Sequence, residues 1–79
     1  MTPLTLFHLE YCPFCHRVRK AADQLGIPLK LVEISKTPKA AKRLQQERGR
    51  MTVPVLELPD GSLMAESADI VDYLRTLAA

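Results

Sequence analysis

Seventy-nine residues suffice for one small domain, near the lower size limit for a chain that folds on a single core. A hydrophobic share of 47% and a charged share of 25% are globular values and exclude a disordered chain. The net charge of +2 is too small to make nucleic acid or a membrane the main partner.

The opening stretch MTPLTLFHLEY lacks the basic start, long apolar run and cleavage site of a secretory leader. No apolar run approaches the roughly 20 residues that cross a bilayer. The expected location is therefore the reducing cytoplasm, where a surviving Cys-x-x-Cys is catalytic or metal-binding more often than structural.

In chain order, Leu4 to Leu9 reads as a buried strand ended by Glu10-Tyr11-Cys12-Pro13. From Pro13 the period becomes helical, with Phe14, Val18, Ala22 and Leu25 on one face and Gly26 as the C-terminal cap. Pro13 suits the first helical position, where a missing N–H costs nothing. Leu29 to Ile34 forms a second strand. Pro38 opens a second helix with Ala41 and Leu44 inward, with Lys39, Lys42, Arg43, Glu47 and Arg48 outward, and Gly49 ends it. Val53 to Leu58 reads as a third strand, Asp60-Gly61 as a hairpin turn, and Leu63 to Ala65 as a fourth strand. A last helix runs from Ser67, its N-cap, with Ile70, Val71, Leu74 and Leu77 as the apolar stripe. The order β-α-β-α-β-β-α, with the first two strands parallel, is an α/β domain spanning residues 1–79.

Both cysteines fall in EYCPFCHRV, at Cys12 and Cys15. A bridge between them closes almost no loop and adds little stability, so reactivity explains the pair better than architecture. Where a strand gives way to a helix, the free N–H groups and the positive end of the helix dipole favour a thiolate on the first sulfur. In such motifs the first cysteine's pKa falls to about 3.5–7.5. His16, Arg17 and Lys20 add positive potential. Cys12 is thus expected to be the exposed nucleophile and Cys15 the shielded resolving thiol. A c-type haem attachment also matches CPFCH, but it belongs outside the cytoplasm and needs a different fold. A zinc site needs two more ligands, and the chain has only His8, mid-strand, and His16, too close to Cys15 to share a tetrahedral centre with both sulfurs. No metal is expected, and His16 reads as a solvated helix residue.

YCPFC, with TVP at Thr52 to Pro54 and the later ESADIVDYL, resembles the glutaredoxin family along essentially the whole chain. The resemblance implies a thioredoxin fold and a thiol–disulfide oxidoreductase that uses glutathione as co-substrate and binds no permanent cofactor. It further implies a cis Val53–Pro54 bond, which sequence alone does not suggest, and a Val53 backbone that pairs with the peptide part of glutathione. Tyr11, Pro13 and Phe14 would flank the thiol, Tyr11 and Phe14 as an apolar wall. The chain departs from many glutaredoxins at Glu66-Ser67, which is similar to the Glu/Gln-Ser pair of glutathione transferases and of larger, transferase-like glutaredoxins. There the helix N-terminus and Ser67 would take the γ-glutamyl carboxylate, and Glu66 the ligand's ammonium. It also lacks the usual lysine before the first cysteine, and Arg50 is the candidate to replace it. The partners implied are glutathione and disulfide-bearing or glutathionylated proteins, the chain acting as a monomer. Two alternatives stay open: a transferase-like domain binding glutathione for conjugation, and a glutathione-liganded iron–sulfur carrier, which Pro13 disfavours by stiffening the loop.

Overall fold

A computed structural model describes residues 3–78; Met1, Thr2 and Ala79, the ends of the expected domain, lie outside the described residues. Strand β1 (Leu4–His8) leads through a turn into helix α1 (Pro13–Leu25), then strand β2 (Leu29–Glu33) and a 3-10 turn over Ile34–Lys36. Helix α2 (Pro38–Arg48), strands β3 (Val55–Glu57) and β4 (Leu63–Ala65) and helix α3 (Ser67–Ala78) follow. The sheet order is β2-β1-β3-β4, with β1 parallel to β2 and the other pairs antiparallel. This is the arrangement the resemblance implies.

Strand alternation explains the two cores. Leu6 and Leu56 face one side of the sheet and pack with Val18 and Ala22 of α1 and Ile70, Val71 and Leu74 of α3. Their neighbours Phe7 and Val55 face the other side and pack with Ile34, and with Ala40 and Leu44 of α2. Between β3 and β4 the Asp60 carboxylate accepts the Ser62 N–H at 2.9 Å, and Gly61 supplies the left-handed φ of 89° that the turn requires.

Several expected details differ. The buried face of α1 is Cys15, Val18 and Ala22, and Phe14 is 60% exposed. A helix beginning at Pro13 turns Cys15, not Phe14, toward β1. Ile34 leaves the second strand for the 3-10 turn, because the Glu33 carboxylate accepts the Ser35 N–H at 2.8 Å and bends the chain. The third strand starts only at Val55, since Pro54 has no N–H to offer a ladder. In α2 it is Ala40 that is buried, with Ala41 half-buried beside it. Leu77 stands half-exposed beyond the last packed turn of α3.

Arg43 was expected outward and instead straps α2 to the sheet. Its guanidinium pairs with Glu57 of β3 and, at 2.6 Å, with Glu47. It also donates to the Gly61 carbonyl at 3.0 Å and lies over the Phe7 ring, 5.8 Å from the centroid. Ser67 is the first residue of α3 rather than its cap. The Glu66 carbonyl accepts the Ile70 N–H at 3.0 Å, so Glu66 holds the cap position.

Because α2 covers its face of the sheet through few large side chains, Leu44→Ala should cost about 2–5 kcal/mol in urea unfolding. Leu77→Ala should cost far less. Equal losses would show that α2 is not held by its buried leucine.

Candidate functional site

The turn from β1 into α1 is pinned by the Cys12 N–H, which donates to the Leu9 carbonyl at 3.1 Å. Cys12 is the N-cap of α1 with extended backbone, φ −83° and ψ 115°. Its sulfur takes the place a serine oxygen takes in an ordinary cap, accepting the Cys15 N–H at 3.4 Å. On its other side the thiol faces the Val53 carbonyl at 3.9 Å. Cys12 is half-buried and thus reachable.

Cys15 has no exposed surface. Burial pushes its pKa up to about 12; the nearby Cys12 adds to the rise, and a Leu9 backbone hydrogen bond and the Arg19 charge oppose it. The two thiols are therefore unequal in access, and Cys15 resists ionisation.

In the loop in front of Cys12, Glu10 is tied through both of its backbone groups. His16 is exposed, as expected, yet its ring is tethered. Its Nε2 lies 2.6 Å from the Glu10 carbonyl, which can only accept, so the proton sits on Nε2. The Glu10 N–H donates to the Glu33 carboxylate at 3.2 Å. The Ser35 hydroxyl, chiefly, and the Glu10 and Ser35 N–H groups hold the Glu33 carboxyl below its ordinary range.

A cavity of about 260 Å³ opens beside this turn, where the Thr52–Pro54 loop meets the β4–α3 junction and the end of α2. The Val53–Pro54 bond is cis. Of the residues singled out in the sequence, Phe14, Arg50, Thr52, Val53, Pro54, Glu66 and Ser67 line it. Tyr11, 95% exposed, Pro13 and the two cysteines do not; Cys12 adjoins it through Val53, whose carbonyl its thiol faces. Two lining residues went unforeseen, Ala65 and Arg48. Arg48 Nη1 donates to the Thr52 carbonyl at 3.1 Å, so it both braces the loop and adds a second cation to the cavity. The pair Arg48 and Arg50 in RGRMTVP was the available signal. Glu66 holds φ at 71°, in the left-handed region that a residue with a side chain adopts at a cost of about 1–2 kcal/mol. Two guanidinium groups, one carboxylate, two hydroxyls and the free N–H groups of a helix N-terminus suit a small ligand carrying both carboxylates and an ammonium.

A larger cavity, of about 480 Å³, lies on the flank of α1 among His16, Arg19, Lys20, Asp23, Leu29 and Leu31, away from the Thr52–Pro54 loop. Among the described residues no cluster of three His, Cys, Asp or Glu is placed to hold a metal ion, and no helix is long and apolar enough to cross a membrane. At the end of β1 His8 is 4% exposed, a buried polar residue to which the sequence assigns no role.

The unequal burial predicts selective chemistry. Iodoacetamide at neutral pH should label Cys12 in the folded protein, with Cys15 labelled only after denaturation, as read by peptide mass spectrometry. Comparable labelling of both in the folded state would contradict the site described.

The chain matches the family model for the glutathione S-transferase N-terminal domain over residues 6–79. It is 39% identical over 72 residues to the probable glutathione S-transferase BZ2 of Zea mays, covering 87% of this chain and 30% of that protein. It is 36% identical over 55 residues to glutaredoxin-C6 of Oryza sativa subsp. japonica, covering 66% of this chain and 49% of that protein. The chain thus spans less than half the length of either curated relative. Glutaredoxin 2 of Salmonella typhimurium, solved in complex with glutathione, superposes with a TM-score of 0.77 at 28% identity, over 98% of this chain and 34% of that one. A match that runs from β1 to α3, on this strand order and with a Cys-x-x-Cys pair at the first strand-to-helix turn, makes the chain a thioredoxin-fold member of the glutathione S-transferase N-terminal, glutaredoxin-like family.

Proposed function

We propose that this chain is a glutathione-dependent thiol–disulfide oxidoreductase that reduces protein disulfides and glutathione mixed disulfides. One observation carries the reading: the half-buried Cys12 sulfur caps α1 and faces the Val53 carbonyl, while Cys15 is sealed one turn behind it. In the proposed cycle the Cys12 thiolate attacks the glutathione sulfur of a glutathionylated protein. The protein thiolate leaves and Cys12 keeps the glutathione in a disulfide. A second glutathione attacks that disulfide, releases oxidised glutathione and restores Cys12. With a protein disulfide, Cys12 forms a mixed disulfide and Cys15 displaces the partner, leaving a Cys12–Cys15 bridge that two glutathiones reduce.

The cavity's chemistry supports glutathione as the co-substrate, as does the glutathione complex of the Salmonella relative. In our reading the Val53 backbone pairs with the peptide and Glu66 takes the ammonium. Ser67 and the first N–H groups of α3 take the γ-glutamyl carboxylate, and Arg50, with Arg48, takes the glycine carboxylate. The proposal places the chain in the cytoplasm, whose glutathione pool the cycle consumes, working as a monomer on disulfide-bearing and glutathionylated proteins.

The second reading is conjugation of glutathione to electrophiles, favoured by the match to a transferase N-terminal domain. Conjugation of an ordinary electrophile without disulfide reduction would select it.

Cys12→Ser should abolish glutathione-linked disulfide reduction, and Cys15→Ser should retain deglutathionylation while losing protein-disulfide reduction. Wild-type activity in Cys12→Ser would end the proposal. For the cavity, Glu66→Gly removes the carboxylate and relaxes the left-handed backbone. KM for glutathione should rise about tenfold, from one lost charge-assisted bond, with the thermal midpoint unchanged or higher. An unchanged KM would remove Glu66 from the glutathione site.

A further inference from the structure

Among the described residues two buried side-chain polar atoms have no hydrogen-bond partner, His8 Nδ1 and Arg19 Nη1. His8 closes β1, and Arg19, on α1, also lines the cavity on the flank of that helix. His8 follows Leu6 by two residues on β1, and Leu6 packs on Val18 and Ala22, so His8 points to the same α1 face, nearer the cysteine end. Cys15 and Arg19 are one helical turn apart on α1, and Arg19 acts electrostatically on both Cys15 and His8. The charged groups that act on the imidazole are Arg19 from α1, Glu33 from β2, paired in register with His8, and Glu10 from the turn, and Cys15 lies on the buried face of α1 that packs on this side of the sheet. Unpaired polar atoms in a buried site call for a reason.

A chemical need stands beside them. In the cycle above Cys15 must lose its proton to attack the mixed disulfide, and solvent does not reach it. Burial, then Arg19, holds the imidazole below its ordinary 6.5, against the pull of Glu33 and Glu10, so at neutral pH His8 is uncharged and Nδ1 can accept.

Resting on the dithiol reading, we propose that His8 is the base that receives the Cys15 proton in the resolving step, and that Arg19 then donates to the sulfur left behind. The Cys15 sulfur bonds to the Cys12 sulfur, the bond from Cys12 to the partner sulfur breaks, and the partner leaves as a thiolate with the electron pair. The proton stays on His8 until the bridge forms.

The test uses 5,5′-dithiobis(2-nitrobenzoate), which reacts with reduced protein in two coloured steps. Cys12 releases one equivalent of nitrothiobenzoate, and Cys15 then expels the second in a first-order phase independent of reagent concentration. With His8 as base, the wild-type second phase should be level from about pH 6.5 to 8 and fall tenfold per unit below the imidazole pKa. His8→Gln should leave the first phase unchanged. Its second phase should be about 100-fold slower at pH 7 and should climb tenfold per pH unit throughout, as attack by a rare thiolate requires. A wild-type second phase that climbs in that way would overturn the role without any variant. So would a His8→Gln protein that keeps the level profile, or one that slows both phases by the same factor. The dithiol reading is tested separately: a single equivalent from the wild type, or two from Cys15→Ser, defeats it and the role of His8 with it.

Discussion

Strand β1 is paired along both edges and covered on both faces, so each residue in it is committed to one partner surface. Leu6 belongs to the core under α1 and α3, and Phe7 to the core under α2. A slip of one residue would exchange the two cores, which burial forbids. That fixed register sets where the strand ends, and the Leu9 carbonyl then positions the Cys12 N–H. The sulfur that caps α1 is thereby placed by packing at the centre of the molecule, and so is the polar His8 behind it.

Elements governed by period and punctuation could be read from the sequence. A short apolar run ended by a turn marked β1, Pro13 and Gly26 bracketed α1, Pro38 and Gly49 bracketed α2, and Asp60-Gly61 marked the hairpin. These signals are local and act through backbone geometry. What escaped depends on neighbours distant in the chain. Phe14 and Cys15 are adjacent, and only the way α1 seats on β1 decides which is buried. Arg43 and Arg48 lie on one helix and read alike as outward charges. Arg43 finds Glu57 and Gly61 beneath it, and Arg48 finds Thr52. The cis bond before Pro54 came from the resemblance, since an X-Pro pair carries no local mark of its isomer.

The two arginines show how the cavity is kept in shape. Arg43 fastens α2 to the β3–β4 hairpin, and Arg48 fastens the end of α2 to the loop that carries Val53 and Pro54. The cavity wall is thus hung from the helix on the opposite face of the sheet from α1 and α3. Glu66 completes the wall in a backbone conformation that costs energy locally, tolerated because β4 and α3 are both anchored on either side of it.

Burial also sets an order of events that the motif alone does not. A thiol with no exposed surface cannot meet a bulky disulfide first, so any encounter with a protein partner must begin at Cys12. The same burial makes the Cys15 proton costly to remove, which protects that thiol from oxidants in solution. In the proposed cycle the half-buried thiol attacks while the sealed one waits, and the proton of the sealed thiol then needs an acceptor. Among the described residues His8, at the end of the strand that leads to both cysteines, is the buried polar residue on that side of the sheet, with an unpartnered ring nitrogen to offer.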